Sequence, residues 1–176
     1  QVTGNSNWAA IWNDGNPTEQ PAWCYYDDNP ANDATYGKLY NWYAVNTGTL
    51  CPDGWHIPTD EEWQTLELEL GMPPSEVNNI GLRGGAQNVG GKMKSTTGWN
   101  PPNTGATNES GFSGLPGGYR GNGGSFLYFG VFGYWWSSSE NFTNYAWSRL
   151  LFSTNAGVGR DGSGKPLGIP CRCVRD

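Results

Sequence analysis

The chain has 176 residues, with 27 Gly, 12 Pro and 10 Trp, only 15% charged residues and a net charge of −6. That length fits one domain. The negative charge argues against a general nucleic-acid binder, which needs a basic surface, and no apolar run reaches the roughly 18 to 20 residues of a membrane helix.

Many Gly and Pro residues predict turns and irregular loops, and abundant aromatics predict a core that disordered chains lack. No fixed-period repeat, linker or charge block divides the chain. Gln1 is not an initiator residue, which leaves room upstream for a removed leader or tag. The cysteines are Cys24, Cys51, Cys171 and Cys173. An even count without a CxxC pair favours disulfides and an oxidising compartment over zinc, and the three possible pairings stay open.

In chain order, residues 1–22 read as a polar covering arm with Pro17 and Pro21, in which Trp8 to Trp12 is a short strand or a helical turn. Cys24 to Ala34 (CYYDDNPANDA) is dense in oxygen ligands, as calcium requires, but Asn, Asp and Pro are equally the residues of a turn, which is the favoured reading. Tyr36, Leu39, Tyr40 and Tyr43 recur at three and four, so Tyr36 to Val45 is expected to be a first amphipathic helix.

Pro52-Asp53-Gly54 is a turn and Trp55-His56-Ile57 an extended piece. Thr59 with Glu62 three residues on forms a capping box, and Asp60 and Glu61 suit the helix dipole. A second helix follows, burying Trp63, Leu66 and Leu70 and ending at Gly71. His56, the single histidine, lacks an activated partner and reads as structural. Glu61, Glu62, Glu67 and Glu69 are expected to be a solvated face.

Residues 72–111 are loop-rich, with at best a short helix around Pro74 to Asn79. Gly90-Gly91-Lys92 is not a phosphate loop, because Ala86 and Met93 replace the glycine and hydroxyl residue that motif needs. Lys92 to Lys94, followed by Gly98-Trp99, reads as a short strand and a turn. In Gly111 to Arg120, Phe112, Leu115 and Tyr119 point inward around glycine turns.

Gly133 to Ser138, Ala146 to Phe152 and Cys171 to Arg175 are expected to form a small antiparallel sheet. Cys171 and Cys173 would share one strand face and reach buried partners in the helical half. From Gly117 onward two kinds of residue stand side by side. Tyr134-Trp135-Trp136-Ser137-Ser138-Ser139-Glu140, Ala146-Trp147 and Cys173 to Asp176 look like frame. Small polar residues, glycines and aromatics without a period fill the gaps, and loops on a rigid frame are where binding usually sits.

The ordered motifs YGKLYNWYAV, CPDGWHIPTDEEW, GFSGLPGGYR, YWWSSSE and RCVRD resemble the Fibrobacter succinogenes major paralogous domain, grouped with the C-type lectin-like and formylglycine-generating-enzyme-like folds. Over about residues 23–176 the resemblance implies a C-type lectin-like α+β domain with two helices, short antiparallel sheets and long irregular loops. The tail, about residues 121–170, also resembles the variable region of proteins diversified by retroelements, whose adenine-directed mutagenesis cannot produce Trp, Glu, Gln, Lys or Met. Gln and Met are absent after Gly121. Trp135, Trp136, Glu140, Trp147 and Lys165 stand only where frame is expected.

The variable, ligand-facing positions implied are Leu127, Tyr128, Phe129, Val131, Phe132, Phe142, Thr143, Tyr145, Ser148, Thr154, Ala156, Val158, Asp161, Ser163 and Leu167, with Leu150 and Phe152 alternating like an inward strand face. Exposed Tyr and Phe give large contact area at low entropic cost.

Three functions are therefore weighed: a display module recognising a protein or glycan, a fixed bacterial surface adhesin, and an oxidase using paired cysteines. The display module is favoured, without enzymatic activity, outside the cell or on a virion. No cofactor is expected, with calcium as the alternative. The sugar-binding tripeptides Glu-Pro-Asn and Gln-Pro-Asp of calcium-dependent lectins are absent.

Overall fold

The computed structural model describes residues 1–12 and 18–176; Pro17 of the predicted arm lies outside them. The helices are α1 (Asn5–Trp12), α2 (Asp33–Tyr36), α3 (Trp42–Val45), α4 (Asp60–Glu69) and α5 (Val89–Met93). The strands are β1 (Trp23–Tyr25), β2 (Lys38–Tyr40), β3 (Trp55–His56), β4 (Gly81–Arg83), β5 (Tyr119–Arg120), β6 (Phe126–Leu127), β7 (Phe132–Phe142), β8 (Tyr145–Phe152), β9 (Val158–Gly164), β10 (Ile169–Pro170) and β11 (Val174–Arg175). The mixture is α+β, with few helices and short antiparallel sheets.

The centre is a four-stranded antiparallel sheet in the order β4-β9-β8-β7. The pairs Phe132↔Phe152, Tyr134↔Leu150 and Trp136↔Ser148 fix the β7–β8 register, and Leu150↔Gly159 and Ser148↔Asp161 fix β8–β9. β1-β2-β10 form a second sheet, and β11 pairs with β3. The expected single sheet containing Cys171 to Arg175 is therefore corrected: the last strand joins β3, not β8.

α4 forms where the capping box predicts it. Thr59 Oγ1 accepts from the Glu62 amide at 3.2 Å, and the Glu62 carboxylate accepts from the Thr59 amide at 2.8 Å. Its inward face is not purely apolar, because Asp60 and Glu67 are buried with Trp63. Glu67 thus leaves the expected solvated face.

The helix expected over Tyr36 to Val45 is not continuous. Gly37, at φ +69° and ψ −156°, ends α2, and Leu39 is buried in β2 between Cys24 and Pro170. Asn41 then caps α3, accepting from the Ala44 amide at 3.1 Å. Three residues of strand alternation were too short to outweigh the helical spacing around them. Pro74 to Asn78 makes turns only.

Lys92 and Met93 belong to a helix, not a strand. α5 lies directly on two loops: a Cβ on Gly90 would come within 1.9 Å of the Gly157 carbonyl oxygen, and one on Gly91 within 2.1 Å of that of Gly105. Glycine is what lets this helix pack by its backbone. Lys92 Nζ donates to the Leu70 carbonyl at 2.9 Å.

Three apolar clusters fill the interior. Trp63, Val89, Met93, Trp99, Trp135, Leu151 and Val158 lie between α4, α5 and the sheet. Trp42, Trp136, Ala146 and Ile169 lie on the sheet's other side. Trp8, Ile11, Cys24 and Leu39 anchor α1. Indole N–H groups bind the layers: Trp42 donates to the Ser137 carbonyl at 3.0 Å, Trp136 to that of Tyr40 at 2.7 Å, and Trp99 to that of Gly114 at 3.0 Å.

Candidate functional site

Strand alternation gives β4, β7, β8 and β9 two faces. The inner one carries Arg83, Arg149 and Arg160 towards α4. Arg149 donates to Glu67 at 2.6 Å and to Asp60 at 2.7 Å. Arg83 grips Glu67 at 2.9 and 3.0 Å, and Arg160 grips Asp60 at 2.6 Å. Burial pushes the Asp60 carboxyl up, but Arg160 and Arg149 outweigh it and hold it below the usual carboxylate range. This is frame, closed to water.

The outer face differs from end to end. Near Trp136 and Ala146 it is covered by Trp42 and Ile169. At the other end it opens into a run of aromatics. Tyr128 stacks on Phe132 at 4.7 Å and on Tyr119 at 5.8 Å, Phe132 meets Phe152 at 5.1 Å, and Tyr119 meets Tyr134 at 5.0 Å. Leu82, opposite Gly159 on β4, extends the patch and is exposed.

Burial, and then the neighbouring Tyr119 and Tyr128, push the Tyr134 hydroxyl up. Burial likewise raises the Asp161 carboxyl despite Arg83. The Tyr134 hydroxyl stays protonated and is able to donate. The surface offers ring faces, hydroxyls and one acid.

The loop before β7 is held firmly. Tyr128 is left-handed at φ +60°. Gly130 donates to the Pro116 carbonyl at 2.9 Å and accepts from the Asn100 amide at 2.8 Å. Phe129 leans on Tyr26 and Tyr36, at 4.9 Å from each ring.

The predicted positions distribute as follows. Leu127, Tyr128, Phe129, Phe142, Thr143, Tyr145 and Thr154 are exposed, and Val131, Phe132, Phe152, Ala156, Asp161 and Leu167 are half-buried. Three are corrected. Ser148 is buried beside Trp136, bonded through its hydroxyl to that of Ser163 at 2.8 Å, and Ser163 is buried with it. Val158 points to the inner face and is fully buried in the core.

The exposed set is not one surface. Phe142, Thr143 and Tyr145 sit at the β7–β8 hairpin tip, ten residues from Phe132 along β7, or roughly 30 Å at strand rise. Tyr119, Tyr134 and Leu82 belong to the aromatic patch but were not predicted. Tyr134 reads as frame in the sequence, although its period-two relation to Phe132 puts both on one face.

Elsewhere the side chains have structural partners. In the oxygen-rich turn, Asp28 accepts from Arg120 at 3.0 Å and from the Gly4 amide at 2.8 Å, and Asp33 pairs with Lys38 at 2.9 Å. Among the described residues no group of three His, Cys, Asp or Glu side chains converges. His56 sits between Asp176 at 2.6 Å and Glu62 at 2.8 Å.

Cys51 and Cys173 form a disulfide, while Cys24 and Cys171 are free. Burial pushes the Cys24 thiol up to about 11 and raises that of Cys171 as well. The Cys171 thiol lines a cavity of about 200 Å³ with Tyr36, Leu115 and Trp135.

The chain belongs to the Fibrobacter succinogenes major domain family, whose model matches residues 5–175. No curated protein and no solved structure matches it. No helix of the described residues is long and apolar enough to cross a membrane.

Proposed function

We propose that this chain is a ligand-binding display module of C-type lectin-like fold, working outside the cell or on a virion. Its tail would present diversified side chains to a protein or glycan partner. The observation that carries the reading is where the chain spends its exposed apolar surface. Among the described residues, Leu127, Tyr128, Phe129, Phe142 and Tyr145 are five of the nine exposed large hydrophobic side chains, and all fall within residues 121–170. They lie in two patches, and exposed aromatics in such patches mark interaction surfaces.

Other features support it. The disulfide suits an oxidising compartment. Both free thiols are held protonated at neutral pH, which disfavours thiolate chemistry and hence the oxidase reading.

The test is to sequence the encoding locus deeply across one population and search its neighbourhood for a reverse transcriptase with a near-identical template repeat. Expected are substitutions concentrated at Leu127 to Phe129, Val131, Phe132, Phe142, Thr143, Tyr145, Thr154, Ala156 and Asp161, with Trp135, Trp136 and Arg149 constant. An invariant tail with no such repeat would overturn diversification and leave the fixed adhesin.

A further inference from the structure

Lys94 follows α5 directly and is 0% exposed. Its ammonium donates to three main-chain carbonyls, of Thr104 at 2.7 Å, Phe152 at 2.8 Å and Asn155 at 2.9 Å. Burial pulls its pKa down to about 8. An ammonium out of water is costly unless every proton finds an acceptor, so an apolar side chain of similar length would be the cheaper filling. What the lysine adds is three hydrogen bonds to two loops.

The same tail loop is also gripped nearby by main-chain contacts. Gly91 donates to the Ala156 carbonyl at 3.1 Å, Thr104 to that of Ser153 at 2.8 Å, and Ser153 to that of Val131 at 2.9 Å. The far patch has a simpler counterpart, with one main-chain carbonyl and one carboxylate. Buried Lys165 reaches the Thr143 carbonyl at 2.8 Å and also pairs with Glu140. In neither place does the lysine use the side chain of an exposed, predicted position.

We infer that Lys94 and Lys165 are positioning residues for the two exposed patches, holding the loops that carry Thr154 and Thr143 through carbonyl oxygens that every residue type possesses. Side chains on those loops can then be exchanged without moving the backbone beneath them. Why exchange would matter rests on the display reading; the clamp itself does not.

The test is amide hydrogen exchange on the full chain, read at residues 103–106 and 153–157 against Leu150 and Leu151 as internal reference. Lys94→Met should speed exchange in those loops by about tenfold or more relative to the reference, as expected for losing charged hydrogen bonds. Lys165→Met should do the same at residues 142–145 only. Thr154→Tyr and Thr143→Tyr should stay within about twofold of the parent, since they leave the carbonyl bonds in place.

The clamp is overturned if Lys94→Met leaves the loops unchanged, if reference and loops accelerate together, or if Thr154→Tyr loosens the loop as much. Should Lys94→Met not fold, the parent decides by nitrogen NMR: a slowly exchanging Lys94 ammonium signal supports the clamp, and one in fast exchange with water sinks it. No ligand is needed, so the result is independent of the locus sequencing.

Discussion

The two faces of the central sheet are made of the same four strands and obey opposite rules. On the inner face, contacts run between side chains of fixed identity: Arg149 meets both Glu67 and Asp60, and Arg160 also lies over the Trp147 ring at 3.6 Å. Exchange any member and a buried charge loses its partner. On the open part of the outer face, rings touch rings, and the loops beneath are fastened largely by backbone atoms. Specificity of packing on one side coexists with tolerance on the other because adjacent residues of a strand point oppositely.

The sharpest way to break that comparison is to cut both faces alike. Glu67→Gln, which is 0% exposed and bound by two arginines, should destabilise the fold by about 3–5 kcal/mol, the usual cost of breaking a buried pair. Tyr128→Ser on the outer face, 50% exposed, should cost no more than about 1 kcal/mol. Urea denaturation measures both, and equal losses would mean that the faces do not differ in kind. Next in size is the disulfide, which ties the segment before α4 to the tail across a sequence separation of 122. Replacing Cys51 and Cys173 together by alanine should cost about 2–5 kcal/mol in the same assay. It should leave relative exchange rates within the aromatic patch unchanged, because Cys51 and Cys173 lie outside the strands and the loop that carry the patch.

The frame was legible where one local rule sufficed. Thr59 and Glu62 announced α4 because a capping box is satisfied within four residues. β9 was hidden because Val158 to Gly164 contains three glycines, and its strand state comes from pairing with β8 and from Phe152 lying against Gly159. Glu67 was misjudged because an acid's default place is water; only β4 and β8, distant in sequence, supply the arginines that reverse this. The exposure of Tyr128 was readable from aromatics set among glycines, whereas that of Phe142 and Tyr145 came only from the resemblance. Their separation into two patches was not, since it depends on the length of β7. Ser148 and Ser163 look like surface residues to any composition argument, and are buried because Trp136 and each other's hydroxyls close over them.

The smallest expected effect compares ion pairs instead of faces. His56 with Asp176 and Glu62 is a three-membered charge cluster like Arg149 with Asp60 and Glu67, but its side chains are 38%, 61% and 43% exposed. Hydrogen bonds that His56 donates to Asp176 and then to Glu62 raise its pKa above the ordinary 6.5. A raised folded pKa means that the folded state holds the proton more tightly. The stabilisation is therefore complete below pH 6.5 and lost as pH rises through the folded value. Solvent screening keeps such a surface cluster to about 0.2–1 kcal/mol. Thermal unfolding followed from about pH 5.5 to 7.5, below the range in which Lys94 titrates, should show this small decline in the parent and a flatter profile in Asp176→Asn. Glu67→Gln, already weakened throughout, should keep the parent's slope, because its lost partners do not titrate there. An Asp176→Asn profile as steep as the parent's would assign the decline to another group and remove His56 from the fastening of β11.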